Sequence, residues 1–260
     1  MKIIFIGSGN VATHLATAFK QAGHQIKQVY SLNHHNAELL AKQVEAEAIN
    51  NLQQITDDAD IFIISIKDDA IESVAAELAI RKKLIVHTSG ATPLQTILKY
   101  TAQAGVFYPL QTFSKAKEVD FKNVPLCIEG ANAEITEQLI ELAQSISDKV
   151  FHVSSDQRKV LHLSAVFACN FPNYLYYVAQ QLLAQHNLDF DLVRPLIMET
   201  AEKVQEQLPQ AVQTGPAIRN DVKTMDAHLA LLGNNTALVQ LYEMLSQAII
   251  KMGADGHSFE

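Results

Sequence analysis

Lys159, His162, Asn170 and Asn173 are polar exceptions in the stretch 159–178, which is otherwise apolar almost all the way round. At about 100° per residue of helix, the four fall within roughly 80° of one another and form one stripe. His162 or Lys159 could deliver a proton, since burial tunes either group toward neutral pH, and Asn170 could orient a reacting molecule beside Asn173. An unpartnered buried polar group costs roughly 1 to 3 kcal/mol. The stripe therefore lines a ligand cleft, or else belongs to a satisfied network or a wet subunit interface. Pro172 has no N–H for the carbonyl of Ala168, which predicts a kink beside Asn170. A helix this apolar is buried by its own domain or by a partner subunit, and a homodimer through it is expected.

A second set of residues could hold a nucleotide. The apolar run Ile3–Ile6 breaks into Gly7-Ser8-Gly9-Asn10-Val11-Ala12 and continues at helical spacing through Leu15, Ala18 and Phe19. In such a turn the first glycine permits a tight strand-to-helix reversal, the second keeps side-chain atoms off the backbone, and the alanine lets helix and strand pack closely. A pyrophosphate would meet Ser8, Gly9 and the N–H groups of Asn10 and Val11 at the positive end of the helix. NAD-selecting sheets carry an acid about 20 residues further on, at the end of the second strand. Here that stretch reads Ser31-Leu32-Asn33-His34. Ser31, Asn33 and His34 suit a 2′-phosphate, which favours NADP and leaves NAD open; a plain solvated loop is the other reading.

Further candidates sit where strands should end. Ser65 and Lys67 follow an apolar run and are placed to approach the cofactor, although Asp68 and Asp69 suit a simple helix start. His87 and Ser89, in His-Thr-Ser-Gly90, and Gln111, in Tyr108-Pro-Leu-Gln, bring imidazole, hydroxyl and amide groups to a loop edge. His87 is assigned to the cofactor, and Ser89 and Gln111 to the substrate; turn chemistry alone is the alternative. Arg219, after a Gly215-Pro216 break, could hold a carboxylate or phosphate, or could pair with Asp221 on the surface.

Such candidates need a sheet that delivers its loops to one edge. Up to about residue 153, short β-type runs near 2–6, 26–31, 61–65, 84–88, 105–108, 124–129 and 150–153 alternate with amphipathic helical stretches. Ser154-Ser-Asp-Gln157 then resembles a capping box, and everything downstream reads as helices broken at Pro195, Pro209, Gly215-Pro216 and Gly233. The fold class is α/β, a Rossmann-type parallel sheet domain (1–153) followed by an all-helical C-terminal domain (154–260) for substrate and dimerisation.

Composition narrows the functions. With 260 residues and 48% hydrophobic content the chain can bury a full core, and a net charge of −8 argues against a general nucleic-acid or anionic-membrane binder. Cys127 and Cys169 have neither metal-ligand spacing nor disulfide density, so no metal and a reducing cytoplasm are expected. Neither a signal peptide nor a membrane-length apolar run is visible.

The segments GSGNVATHLA, HTSG, FYPLQTFSK, QRKVLHLSAVFACNF and TGPAIRND together resemble a family of NADP-dependent oxidoreductases with a Rossmann N-terminal domain and a helical C-terminal domain. The wider group includes pyrroline-carboxylate reductase, ketopantoate reductase and 6-phosphogluconate dehydrogenase, whose helical domains commonly dimerise. Resemblance to the last implies reading Lys159 and His162 as its Lys-x-x-His motif, although Leu163 stands where an asparagine would follow. The expectation is hydride transfer to a C=O or C=N carbon of a small, anionic substrate. The nicotinamide would lie over the strand ends carrying Ser65 and His87. A non-catalytic dinucleotide-binding sensor or assembly protein is the main alternative, and a methyltransferase a weaker one.

Overall fold

The computed structural model describes residues 1–255 and divides into two compact units, Met1–Tyr174 and the residues from Leu175 onward. In the first, eight strands form one sheet: β1 Lys2–Ile6, β2 Gln25–Tyr30, β3 Glu47–Ile49, β4 Ile61–Ile64, β5 Leu84–His87, β6 Ala104–Pro109, β7 Leu126–Gly130 and β8 Val150–His152. Their spatial order is β3-β2-β1-β4-β5-β6-β7-β8. The helices of this unit are α1 Asn10–Gln21, α2 His34–Val44, α3 Asp68–Leu78, α4 Gln95–Leu98, α5 Ala133–Gln144, α6 Ser155–Ala165 and the start of α7, Phe171–Gln185.

Successive residues of a strand point to opposite faces, and this sheet is covered on both. Ile3, Phe5, Ile61, Ile63, Val86 and Phe107 pack with α1, α2 and α5. Ile4, Ile6, Phe62, Ile64, Ile85 and Val106 pack on the other face with α3, Ile97 of α4 and Leu161 of α6. That two-sided burial is why the central strands β1, β4 and β5 read as unbroken apolar runs.

Three features differ from the sequence expectation. The short strand β3 is additional. The sheet is not parallel throughout: β7 runs antiparallel to β6, and β8 runs with β7. A parallel return needs a crossover of a dozen or more residues, usually through a helix, and 110–125 contains only the single turn Phe121–Asn123. The sheet unit also continues past residue 153, because α6 is tied to it. Ser154 and Gln157 form the expected capping box, and the next residue, Arg158, is 1% exposed.

The kink expected at Pro172 takes the form of a π turn. Val166–Asn170 is π-helical between α6 and α7, and the Phe171 N–H donates to the carbonyl of Val166, five residues back. Without a proline N–H, the ladder widens by one residue just ahead of it. One extra residue rotates everything beyond it by about 100°, so Asn173 is turned away from the line of Lys159. The polar stripe therefore does not run continuously.

The second unit contains the rest of α7, with α8 Arg194–Glu206, α9 Val222–Leu232 and α10 Thr236–Asp255. Pro195 opens α8 and Gly233, at φ +57°, closes α9. No helix among the described residues is long and apolar enough to cross a membrane.

Candidate active site

The strand order reverses between β1 and β4, and the carboxyl ends of these strands carry the glycine turn and Ser65-Ile66-Lys67. Open α/β sheets bind ligands at such a point. Gly7 has φ +121°, and a Cβ there would lie 2.0 Å from the Ser65 carbonyl oxygen, so only glycine fits between the two strand ends. Gly9 differs: a Cβ built on it meets nothing within 4 Å. It stands at the start of α1 without a side-chain cap, and the helix has no acid in its first turn. The Asn10 amide is turned aside, donating to the Phe113 carbonyl at 3.0 Å, and His14 Nε2 lies 2.9 Å from the Ser114 carbonyl while its ring stacks on Phe113. The loop after β6 is thereby latched to α1.

Moving along the same edge, Thr88 Oγ1 donates to Ser65 Oγ at 3.1 Å. Gly90 lies beyond it, and over Gly90 stand Tyr108 of β6 and His162 of α6. Tyr108 Oη is 3.2 Å from His162 Nδ1, and the rings meet edge to face at a centroid distance of 6.2 Å. From β1 to β6 is three strand spacings, roughly 14 Å. His162 is exposed, so its ring is presented at the surface of this unit rather than sealed within it.

What aims His162 lies one helical turn below. Arg158 Nη1 donates to Glu129 Oε2 at 2.7 Å, and Nη2 to the Thr92 carbonyl at 2.7 Å. Glu129 also accepts from the Ser155 N–H and hydroxyl at 2.9 and 2.7 Å, and Ser155 Oγ in turn accepts from the Leu94 N–H at 2.9 Å. One buried cluster thus joins β7, the loop after β5 and the first turn of α6. His87 is buried within reach of the Arg158 charge. Burial, with the Arg158 guanidinium second, lowers its pKa to about 3.

Residues 2–90 match the family described as NADP oxidoreductase, coenzyme F420-dependent, and residues 124–249 match a domain of unknown function, DUF2520. A Bacteroides fragilis protein assigned as an NADP oxidoreductase is 42% identical over 96% of this chain and 98% of that one, with a TM-score of 0.89. The chain belongs to that NADP oxidoreductase family. More distant likenesses share the fold. An imine reductase from Myxococcus stipitatus, solved with NADP+, is 17% identical over 99% of this chain and 96% of that one, at a TM-score of 0.71. A pyrroline-5-carboxylate reductase from Coxiella burnetii is 18% identical over 99% and 98%, at 0.57. None of the curated proteins matches the chain.

Residues within the segment that the family model matches have the chemistry a dinucleotide needs. The open space over Gly9 and the uncapped, acid-free start of α1 suit a pyrophosphate. At the end of β2, Asn33 caps α2, its side chain accepting from the His35 N–H at 3.1 Å. His34 follows in a first turn that has no acid, with Nε2 3.4 Å from Glu38 on the next turn. Ser31 and Asn33 flank the exposed Leu32.

Other expected site residues fall elsewhere. His87 has no exposed surface, so it cannot touch a cofactor in this conformation; it accepts the Ser89 N–H at Nδ1. Ser89 is 8% exposed, and its oxygen accepts from the Ala91 and Thr92 N–H groups, which makes it a turn-forming residue rather than a substrate contact. Gln111 folds back on its own loop, accepting from Thr112. Lys67 is exposed at the head of α3 with Asp68 and Asp69. Lys159 is exposed and 3.4 Å from Asp156. Asn170 and Asn173 are exposed, in and after the π turn. Arg219 belongs to the second unit, exposed on the turn before α9. Asp221 caps α9, and hydrogen bonds from Thr224 lower its pKa, with Arg219 contributing less.

Tyr108, Gly90, Arg158 and Glu129 were not expected. Arg158 and His162 are four apart on a helix and so share a face, and that spacing is the one signal in the sequence that could have linked them.

Proposed function

We propose that this oxidoreductase is a reductase that delivers hydride to a C=O or C=N carbon of a small, anionic substrate, with His162 supplying the accompanying proton. The observation that carries the reading is the exposed His162 ring, held against Tyr108 over Gly90 at the strand edge that begins with the glycine turn. NADPH supplies the hydride. The chain's own part is to hold the pyrophosphate at Ser8, Gly9, Asn10 and Val11, to receive the 2′-phosphate at Ser31, Asn33 and His34, and to bring Ser65 and Lys67 to the cofactor. Lys159 is the weaker proton donor, since it is exposed and already beside Asp156. Asn170, exposed in the π turn of the helix that carries His162, orients the substrate. The helices from residue 154 onward bind substrate and dimerise, and two free thiols suit a reducing cytoplasm.

Homodimer formation is supported by the exposed apolar residues Val160, Leu163, Phe167 and Phe171, which a soluble chain does not leave to water in such density. Titration of the pure protein with NADPH and NADH by nucleotide fluorescence, then NADPH oxidation against keto acids and cyclic imines, tests the whole reading. Tighter binding of NADPH and turnover on one of these classes are expected. His162→Ala should abolish turnover and spare NADPH affinity; unchanged turnover removes its role.

A further inference from the structure

The proposed proton donor has two ring nitrogens, and its surroundings treat them differently. Tyr108 Oη stands 3.2 Å from Nδ1. Gly90 is buried under the contact, and a Cβ there would come within 2.7 Å of Nδ1, 2.9 Å of His162 Cγ and 2.9 Å of Tyr108 Cζ. A methyl there would push the two rings off their contact. One turn back on the same face of α6, Arg158 anchors the helix to Glu129 and to the Thr92 carbonyl. Tyr108 is itself fixed within β6, paired with Cys127 of β7. The ring is thus held from the strand, the loop and the helix, and among the described residues its hydrogen bond is made at Nδ1.

We propose that Tyr108 is the positioning residue of His162, holding Nδ1 in every protonation state, so that Nε2 is the atom that exchanges the proton. This rests on the reading of His162 as proton donor. A phenol can do so because its oxygen both donates and accepts. It donates to Nδ1 when that nitrogen is bare, and accepts from Nδ1–H when the ring is charged. Burial, and after it Cys127, raises the pKa of Tyr108, which keeps the hydroxyl neutral and both roles open. When the charged ring acts, the Nε2–H bond breaks and an O–H or N–H bond forms on the atom left negative by reduction. The ring is left neutral, with Nδ1–H still on Tyr108 Oη, and solvent returns the proton to Nε2.

Nitrogen-15 NMR of the histidine rings in the cofactor-free protein tests this directly, with His162 assigned by its absence from His162→Gln. In the acidic arm of a titration the Nδ1–H of His162 should give a resonance protected from solvent exchange, while Nε2–H exchanges rapidly. Tyr108→Phe should abolish that protection, and Gly90→Ala should do the same by wedging the rings apart without removing a polar group. His228, whose Nδ1 lies 2.8 Å from Tyr242 Oη in the second unit, gives an internal reference that neither variant changes. Tyr108→Phe should also lower kcat about tenfold, less than the roughly hundredfold or more that a positioned acid itself contributes, with the KM for NADPH unchanged. A wild-type Nδ1–H that exchanges as fast as in Tyr108→Phe overturns the proposal. Full turnover by His162→Gln with the wild-type protection intact instead overturns the proton-donor reading.

Discussion

Between Met1 and Tyr174, Phe5, Phe19, Phe62 and Phe107 are fully buried; from Leu175 onward, Leu188, Leu192, Leu196, Met198, Leu231 and Met244 are half or more exposed. Among the described residues of the second unit, Ala217 alone is a buried hydrophobic. Burying one such leucine or methionine is worth about 1.5 to 3 kcal/mol. The first unit gains that many times over from two faces of one sheet; in the second, residues such as Leu182, Ile197, Leu229 and Leu241 are only half-buried, so the gain per side chain is smaller. A region that keeps regular helices with its apolar surface outward draws its stability from another surface, and a second copy of the chain is the partner proposed above.

The largest effect should come from removing that partner. Analytical ultracentrifugation is expected to give twice the chain mass. Thermal melting should show a helical transition that moves down on dilution, because association stabilises by mass action. Leu196→Glu should shift the mass toward that of a single chain. A monomer at micromolar concentration with an undiminished helical transition would break the contrast between the units.

In the first unit the damage should be local and intrinsic. Arg158→Met leaves Glu129, 13% exposed, without its charge partner, and should cost about 3 to 5 kcal/mol in urea unfolding. Adding Glu129→Met should restore much of it, as a coupled pair does in a double-mutant cycle. A cost below 1 kcal/mol would mean that α6 does not depend on the cluster.

His87 should contribute a somewhat smaller, pH-dependent term. Its imidazole takes a proton near pH 6.5 in the unfolded chain but only at about 3 in the folded one. The unfolded state therefore binds more protons between these values, and stability falls as pH drops through 6.5. Between pH 7.5 and 4.5 the loss from this group is about 3 kcal/mol. His87→Asn, which retains an acceptor for the Ser89 N–H, should flatten that slope in urea unfolding at the two pH values; an unchanged slope would remove His87 as its source.

What could be read in advance follows the same division. Strands β1, β4 and β5 were legible because two-sided burial leaves unbroken apolar runs, and the cap at Ser154–Gln157 because its hydrogen bonds span three residues. Strand β3 was not legible, since Glu47-Ala-Ile49 is too short to show a period. Strand direction leaves no periodicity at all, which hid the reversal at β7. His87 and Tyr108 both sit at strand ends, and no local feature says that one side chain turns under the loop while the other reaches α6. That distinction depends on Arg158 and His162, which lie 54 or more residues away along the chain. Pro172 announced a break, but the phase shift that parts Asn173 from Lys159 depends on how the ladder relaxes around it.

The smallest expected change in stability concerns the glycine turn and separates its two glycines. Gly7→Ala would force a Cβ to within 2.0 Å of the Ser65 carbonyl at φ +121° and belongs with the core substitutions. Gly9→Ala meets no atom within 4 Å, and its backbone, at φ −73°, suits any residue. Unfolding free energy should therefore move by no more than about 0.5 kcal/mol. Yet the added methyl occupies the space a pyrophosphate needs to approach the helix start, so NADPH affinity by fluorescence titration should fall at least about tenfold, the equivalent of about 1.4 kcal/mol. Loss of affinity with stability retained assigns Gly9 to the ligand and Gly7 to the sheet. Equal NADPH binding in Gly9→Ala would place the pyrophosphate elsewhere on the strand edge.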